Sequence, residues 1–384
     1  MSEDGAEERP RPARTLSAVA IAEALGLPTP TPQQQQVIEA PLRPAIVVAG
    51  AGSGKTETMA NRVVWLLANG HVRVPEILGL TFTRKAAGEL ALRIRARIEQ
   101  LVASGVTDVE FDPFEAPEVA TYNAFANAIF RENALLIGRE PESAVLSEAS
   151  AWQLARRLVV TSTDDRLVEL DRSVEAVTSA VVALSRALSE NVADASEVER
   201  MVDQFGRIAE LPTGNGRIKE LYASVRSAVD AVGSLPPLLD LARAFADEKR
   251  RRGFVEYSDQ VALALSVCER LPEVVADYRR RFRVVLLDEY QDTSVVQTRL
   301  LSTLFAGQPV MAVGDPHQSI YGWRGASAAN LGRFSADFTA NYTAERTGSE
   351  GGADEYALST SWRNPTRVLD AANLLVAPLT AASP

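Results

Sequence analysis

Ala45-Ile46-Val47-Val48-Ala49-Gly50-Ala51-Gly52-Ser53-Gly54-Lys55-Thr56 is the stretch whose reading decides the fold. Its short apolar run, rich in β-branched residues, reads as a buried strand, and the glycines that follow read as a tight turn. From Lys55 onward Met59, Val63, Leu66 and Leu67 recur at helical spacing. Residues Ala49 to Thr56 fit the Walker A pattern, with Ala49 standing where the first glycine is usual. In such a loop the backbone N–H groups of Gly50, Ala51, Gly52, Ser53 and Gly54 face a β-phosphate, and the helix N-terminus adds its positive dipole end. Lys55 then supplies a cation and Thr56 a hydroxyl for Mg2+. A glycine turn that merely happens to contain Lys-Thr explains none of this division of labour. The stretch implies an ATP and Mg2+ site.

Outward from it, Ile77-Leu78-Gly79-Leu80-Thr81-Phe82 reads as a second strand, followed by an Arg-studded helix from Ala86 to Leu101. Strand character returns at Phe282 to Leu287 and at Pro309 to Val313. Strands alternating with helices predict an α/β fold with a parallel, helix-covered sheet. The run Val284-Val285-Leu286-Leu287-Asp288-Glu289 ends in the two acids that a phosphate loop needs beside it. Asp288 would hold Mg2+ and Glu289 would orient and deprotonate the attacking water. Taken alone, the two acids also suit a helix cap. From about Leu135 to Arg252 the texture is helical, interrupted by a turn near Pro212 to Gly216, and predicts a helical insertion. The amphipathic stretch Leu16 to Leu25 precedes a Gln run at 33–36, a composition that can be low-complexity filler. Residues Arg346 to Asp354 read as a flexible loop, and a last helix is expected from Pro365 through Val376, capped by Asn364.

Composition sets the outer limits. No apolar run approaches the roughly 20 residues of a membrane span, so no membrane association is expected. Met1 to Arg14 is charged and Pro-containing without an apolar core, which reads as a tail rather than a signal peptide and implies a cytoplasmic protein. The single cysteine, Cys268, excludes an intrachain disulfide framework, and with only His71 and His317 no structural zinc cluster can be assembled. A net charge of −10 runs against phosphate binding as a bulk property, although a local groove decides that question.

Several further segments carry a family resemblance. Asp288-Glu289-Tyr290-Gln291-Asp292-Thr293 resembles motif II of superfamily 1 DNA helicases of the UvrD/Rep/PcrA type, and Ala312 through Ala326 (AVGDPHQSIYGWRGA) resembles their motif III. Leu80 to Ala87 resembles motif Ia. Thr121-Tyr122-Asn123-Ala124-Phe125 is similar to a Thr-Phe-His-Ser-Phe motif, with Tyr and Asn substituted. Pro30 to Gln34 resembles the Q motif, and Ser361-Trp362-Arg363-Asn364 resembles motif IV in a wording close to actinobacterial UvrD-like helicases, including the AdnB type.

The resemblance implies a RecA-like domain with an inserted helical subdomain. On this reading 1–15 is a disordered tail, 16–134 and 253–364 are the two parts of the RecA-like domain, 135–252 is the insertion, and 365–384 opens a second motor domain. Gln34 would meet the adenine edge, Trp362 would belong to the ATP site, Gln318 would sense the γ-phosphate, and Arg363 would act as an arginine finger. Phe82, Thr83, Thr121, Tyr122, Asn123, Tyr321, Trp323 and Arg324 would line a path for single-stranded or partly duplex DNA. The implied activity is a 3′ to 5′ ATP-dependent helicase or translocase of DNA repair or recombination. Motifs V and VI of such helicases are absent, which implies a truncated form or a partner chain supplying the second motor domain. A nucleotide-dependent single-stranded DNA-binding module without productive unwinding is the alternative.

Overall fold

The computed structural model describes residues 15–112, 114–211, 222–322, 326, 329–339 and 352–381. Within them the chain divides into two compact units, one formed by Met1–Phe125 with Cys268–Pro384 and the other by Ala126–Val267.

The first unit is built on a parallel six-stranded sheet. Its strands are β1 (Ala45–Ala49), β2 (Ile77–Thr81), β3 (Glu118–Thr121), and, after the second unit, β6 (Val284–Leu287), β7 (Val310–Gly314) and β8 (Asp354–Leu358). Their order is β3-β2-β6-β7-β1-β8. β2, β6 and β7 are buried along their whole length, as continuous apolar runs in a covered parallel sheet must be. The covering helices are α1 (Ala18–Ala24), α2 (Pro32–Ile38), α3 (Lys55–Ala68), α4 (Arg84–Ser104) and the start of α5 (Tyr122–Asn133). Met59, Val63, Leu66 and Leu67 of α3 are all buried, and they join Val47, Ile77, Leu286 and Val313 in one core. Cys268 is buried as well, and desolvation pushes its thiol up to about 12.

Two elements differ from the sequence reading. The Gln run is not filler: Thr31 and Gln34 form a reciprocal capping box that starts α2 at Pro32. The expected loop at 346–354 lies outside the described residues as far as 351, and its last residue, Asp354, opens β8, which pairs with β1 in the register Ala45↔Asp354 to Ala49↔Leu358. Only Leu358 of that strand is buried, so its half-polar pattern carried no strong strand signal.

The second unit is helical, with a two-stranded parallel sheet of β4 (Ala144–Val145) and β5 (Phe254–Val255). It contains α6 (Glu148–Thr161), α7 (Arg166–Glu169), α8 (Val174–Asn191), α9 (Ala195–Gly206), α10 (Ala223–Gly233), α11 (Leu235–Arg251) and most of α12 (Tyr257–Arg270). Ala151, Leu154, Val181 and Phe245 centre its core. Beside it, Lys249 is buried with Glu256 at 2.8 Å and Asp259 at 2.6 Å. The unit is wider than the span 135–252 read from composition, because its borders fall inside α5 and α12, where helical texture does not change. The first unit is completed by α13 (Pro272–Arg281), α14 (Val295–Phe305), α15 (Ala329–Thr339) and α16 (Thr366–Ala381). Among the described residues no helix is long and apolar enough to cross a membrane.

Candidate active site

In open parallel sheets ligands bind beyond the carboxyl ends of the strands, and here the registers bring four such ends together. Leu80 lies beside Leu287, Leu287 beside Ala312, and Val48 beside Gly314. The loops leaving β1, β2, β6 and β7 therefore open on one side.

The loop after β1 is a cradle of main chain. Gly52 and Gly54 sit at φ +74 and +83, in the left-handed region that glycine adopts without strain. Gly54 caps α3 without any side-chain hydrogen bond, which leaves first-turn N–H groups of that helix for an anion. The buried Ser53 hydroxyl has no protein partner, as expected of a group that faces a ligand. These features fit a triphosphate.

Lys55 Nζ contacts Glu289 Oε2 at 2.9 Å, and Gln291 Nε2 donates to the same oxygen at 2.9 Å. Gln291 Oε1 accepts from the Asp315 N–H at 3.1 Å, and Gln318 Nε2 donates to Asp315 Oδ2. One hydrogen-bonded chain thus runs from the phosphate-loop lysine to Gln318. Gly314 is required in its path, since a Cβ there would lie 2.5 Å from Gln291 Oε1. The sequence reading missed Gln291, Gly314 and Asp315. All three lie inside segments already singled out, but nothing in their types distinguishes a connector from a spacer.

Asp288 is buried beside Glu289, and desolvation first, then that neighbouring negative charge, pushes its carboxyl up to about 6 against the pull of Lys55. A cation would relieve this. No cluster of three or more His, Cys, Asp or Glu side chains exists among the described residues to hold a metal unaided. The donor set instead suits Mg2+ held by Thr56 and Asp288 together with phosphate oxygens and water. Glu289 itself adopts φ +50, an uncommon conformation for a residue with a side chain and one that gathers at functional sites.

The segment after β8 closes over the cradle. The Trp362 N–H donates to Gly52 O at 2.9 Å and Ser361 Oγ donates to Ala51 O at 3.0 Å. A Cβ on Gly52 would meet Arg363 Cβ at 2.6 Å, and one on Gly54 would lie 3.1 Å from Gln34 Nε2 and 4.0 Å from Trp362 Cδ1. Gln34, Trp362 and Arg363 are thus gathered on the phosphate loop. Gln34 also serves its own helix, because its Oε1 accepts from the Thr31 N–H at 3.0 Å.

The residues read as a DNA path fare unevenly. Phe82 and Tyr321 come together, their rings stacked at 4.7 Å and 28°. Thr83 and Thr121 cap α4 and α5, each accepting an N–H bond at 3.1 Å, at the ends of adjacent strands β2 and β3. Asn123 is exposed and accepts from Gln297 Nε2 at 2.9 Å. Tyr122 needs correction: it is buried, and its hydroxyl donates to the Asp288 carbonyl at 2.8 Å, so it braces the acidic strand end and cannot face a base. Trp323 and Arg324 lie outside the described residues. Of the arginines on α4, Arg93 and Arg97 are spent on Glu57 of α3.

A parallel sheet with the acidic strand β6 one place removed from the phosphate-loop strand, a glycine cradle and a Lys-Asp-Glu set define a RecA-like P-loop nucleotide-binding domain. Within that class the chain belongs to the UvrD/REP helicase family: the model of the UvrD/REP helicase N-terminal domain matches residues 30–339. It is 26% identical over 342 residues to DNA helicase II of Haemophilus influenzae, covering 88% of this chain and 39% of that protein. With DNA helicase II of Escherichia coli K12 it shares 27% over 343 residues, 89% of this chain and 39% of the relative. With ATP-dependent DNA helicase UvrD1 of Mycobacterium tuberculosis it shares 30% over 349 residues, 87% and 37% respectively. The chain therefore spans about two fifths of the length of the curated relatives it matches.

Proposed function

We propose that this chain is the ATP-binding first motor domain of a DNA helicase or translocase acting on single-stranded or partly duplex DNA. The observation that carries the reading is the hydrogen-bonded chain Lys55–Glu289–Gln291–Asp315–Gln318, which links the phosphate cradle to the loop that leads to Tyr321. The names of the relatives, DNA helicase II and ATP-dependent DNA helicase UvrD1, support helicase activity over a binding module without unwinding. A 3′ to 5′ polarity and a role in repair or recombination belong to the same proposal and rest on the motif resemblance alone.

In this reading the γ-phosphate of ATP draws Lys55 away from Glu289. The released carboxylate then orients water for in-line attack on the γ-phosphorus and takes its proton, while the bond to the β–γ bridging oxygen breaks and ADP leaves with that electron pair. Thr56 and Asp288 would hold Mg2+, which would supply positive charge at the phosphate oxygens. Arg363 approaches the charge that develops during transfer. Gln318 senses the γ-phosphate and, by the chain of amides, ties its presence to Tyr321 and Phe82, whose rings offer stacking surfaces for bases without reading sequence.

The test is direct. Isothermal titration with Mg-ATP should show binding by the native chain and a severe loss in Lys55→Ala; equal affinities would remove the site from Ala49 to Thr56.

A further inference from the structure

The short helix α2 is held at both ends, and it holds something in turn. At its C-terminal end the buried guanidinium of Arg62, from α3, donates to the carbonyls of Val37, Ile38 and Ala40 at 3.0, 3.1 and 2.9 Å. At its N-terminal end the Thr31–Gln34 capping box fixes the first turn. Between them Gln33 reaches out of the helix, and its Oε1 accepts both the Ser359 N–H and the Ser359 hydroxyl at 3.0 Å. Ser359 begins the segment whose Ser361 and Trp362 bond to the main chain of Ala51 and Gly52 and whose Arg363 packs on Gly52.

We propose that Gln33 is a positioning residue for nucleotide binding. It latches the segment 359–363 to a strut that Arg62 anchors on the phosphate-loop helix, and so sets where Trp362 and Arg363 stand relative to the bound nucleotide. The inference rests on the proposal that ATP binds this site. It goes beyond it, because Gln33 touches neither base nor phosphate and acts through Ser359. Both bonds use Gln33 as an acceptor only. A carboxylate at this position therefore keeps the latch, and an aliphatic side chain loses it.

The experiment combines hydrogen exchange, read by mass spectrometry on peptides covering 358–364, with titration of Mg-ATP. Loss of two hydrogen bonds from an exposed segment should speed exchange there about tenfold in Gln33→Ala. Exchange in β1 and α3 should stay as in the native chain, and Gln33→Glu should retain slow exchange. The same Gln33→Ala variant should bind ATP several-fold more weakly. Unchanged exchange at 358–364 in Gln33→Ala, or fast exchange in Gln33→Glu, overturns the latch. Native ATP affinity in Gln33→Ala, in a protein whose Lys55→Ala variant has lost it, overturns the positioning role while leaving the site intact. Equal affinity of Lys55→Ala and the native chain instead removes the underlying site and the positioning role with it.

Discussion

Lys55 and Glu289 neutralise one another at 2.9 Å while Gln291 holds the same carboxylate oxygen, so the cation proposed for phosphate is paired with the carboxylate proposed as base. On that reading phosphate binding breaks the pair. Removing the competitor should therefore help binding even as it removes the chemistry: Glu289→Gln is expected to bind Mg-ATP several-fold more tightly and to turn it over at least about a hundredfold more slowly. Titration calorimetry and a phosphate-release assay measure the two effects, and an affinity no higher than native would mean that the pair does not oppose binding. The phosphate loop was legible as a glycine turn between strand and helix, and Gly52 and Gly54 take the left-handed φ values that such a turn needs. Tyr122 was misread because an aromatic after a strand end looks the same whether it turns outward or inward; only the carbonyl of Asp288, 166 positions away in sequence, decides it.

At the scale of elements, the strand and helix that flank the cradle were plain from periodicity, as were β2, β6 and β7, whose apolar runs admit no other home. The helix α2 was not. Seven residues with four glutamines have no apolar stripe, and a helix that short is marginal without tertiary support. Its support is the Arg62 guanidinium, which burial lowers to about 10 and which therefore stays charged at neutral pH against the negative end of the helix. Arg62→Ala removes the guanidinium donor from the carbonyls of Val37, Ile38 and Ala40, of which Val37 keeps the Ala40 N–H, and should cost on the order of 3 kcal/mol, with Arg62→Lys in between. Urea unfolding followed by circular dichroism reads this, and a loss under about 1 kcal/mol would show that α2 is held by packing instead. The strand β8 escaped notice for a related reason: its acceptability depends on β1 alongside, not on its own alternation.

For the molecule as a whole, the chemistry proposed needs charge on both sides of the transferred phosphate. On the proposed reading Lys55 and Mg2+ would cover one side, and Arg363, exposed on the segment that bonds to the main chain of Ala51 and Gly52, would approach the other. Losing an arginine finger costs about 10³-fold or more in turnover. Arg363→Ala is thus expected to keep Mg-ATP affinity near native while losing most of the turnover. Titration calorimetry and a phosphate-release assay, with Lys55→Ala guarding against contamination, test this; native turnover in Arg363→Ala would refute it.

Among the described residues β3 and β8 are the two borders of the sheet. Each presents a row of main-chain donors and acceptors that an alien strand can copy, which is how folded proteins template their own precipitation. Both borders are short, and both carry acids, Glu118 on β3 and Asp354 and Glu355 on β8, of which Glu118 is paired with Arg281 and Asp354 with Arg43. Two molecules meeting in register along β8 would stack one exposed Glu355 on the other. The carboxylate at 355, one of those that made this stretch hard to recognise as a strand, thus opposes the recruitment of a copy of itself.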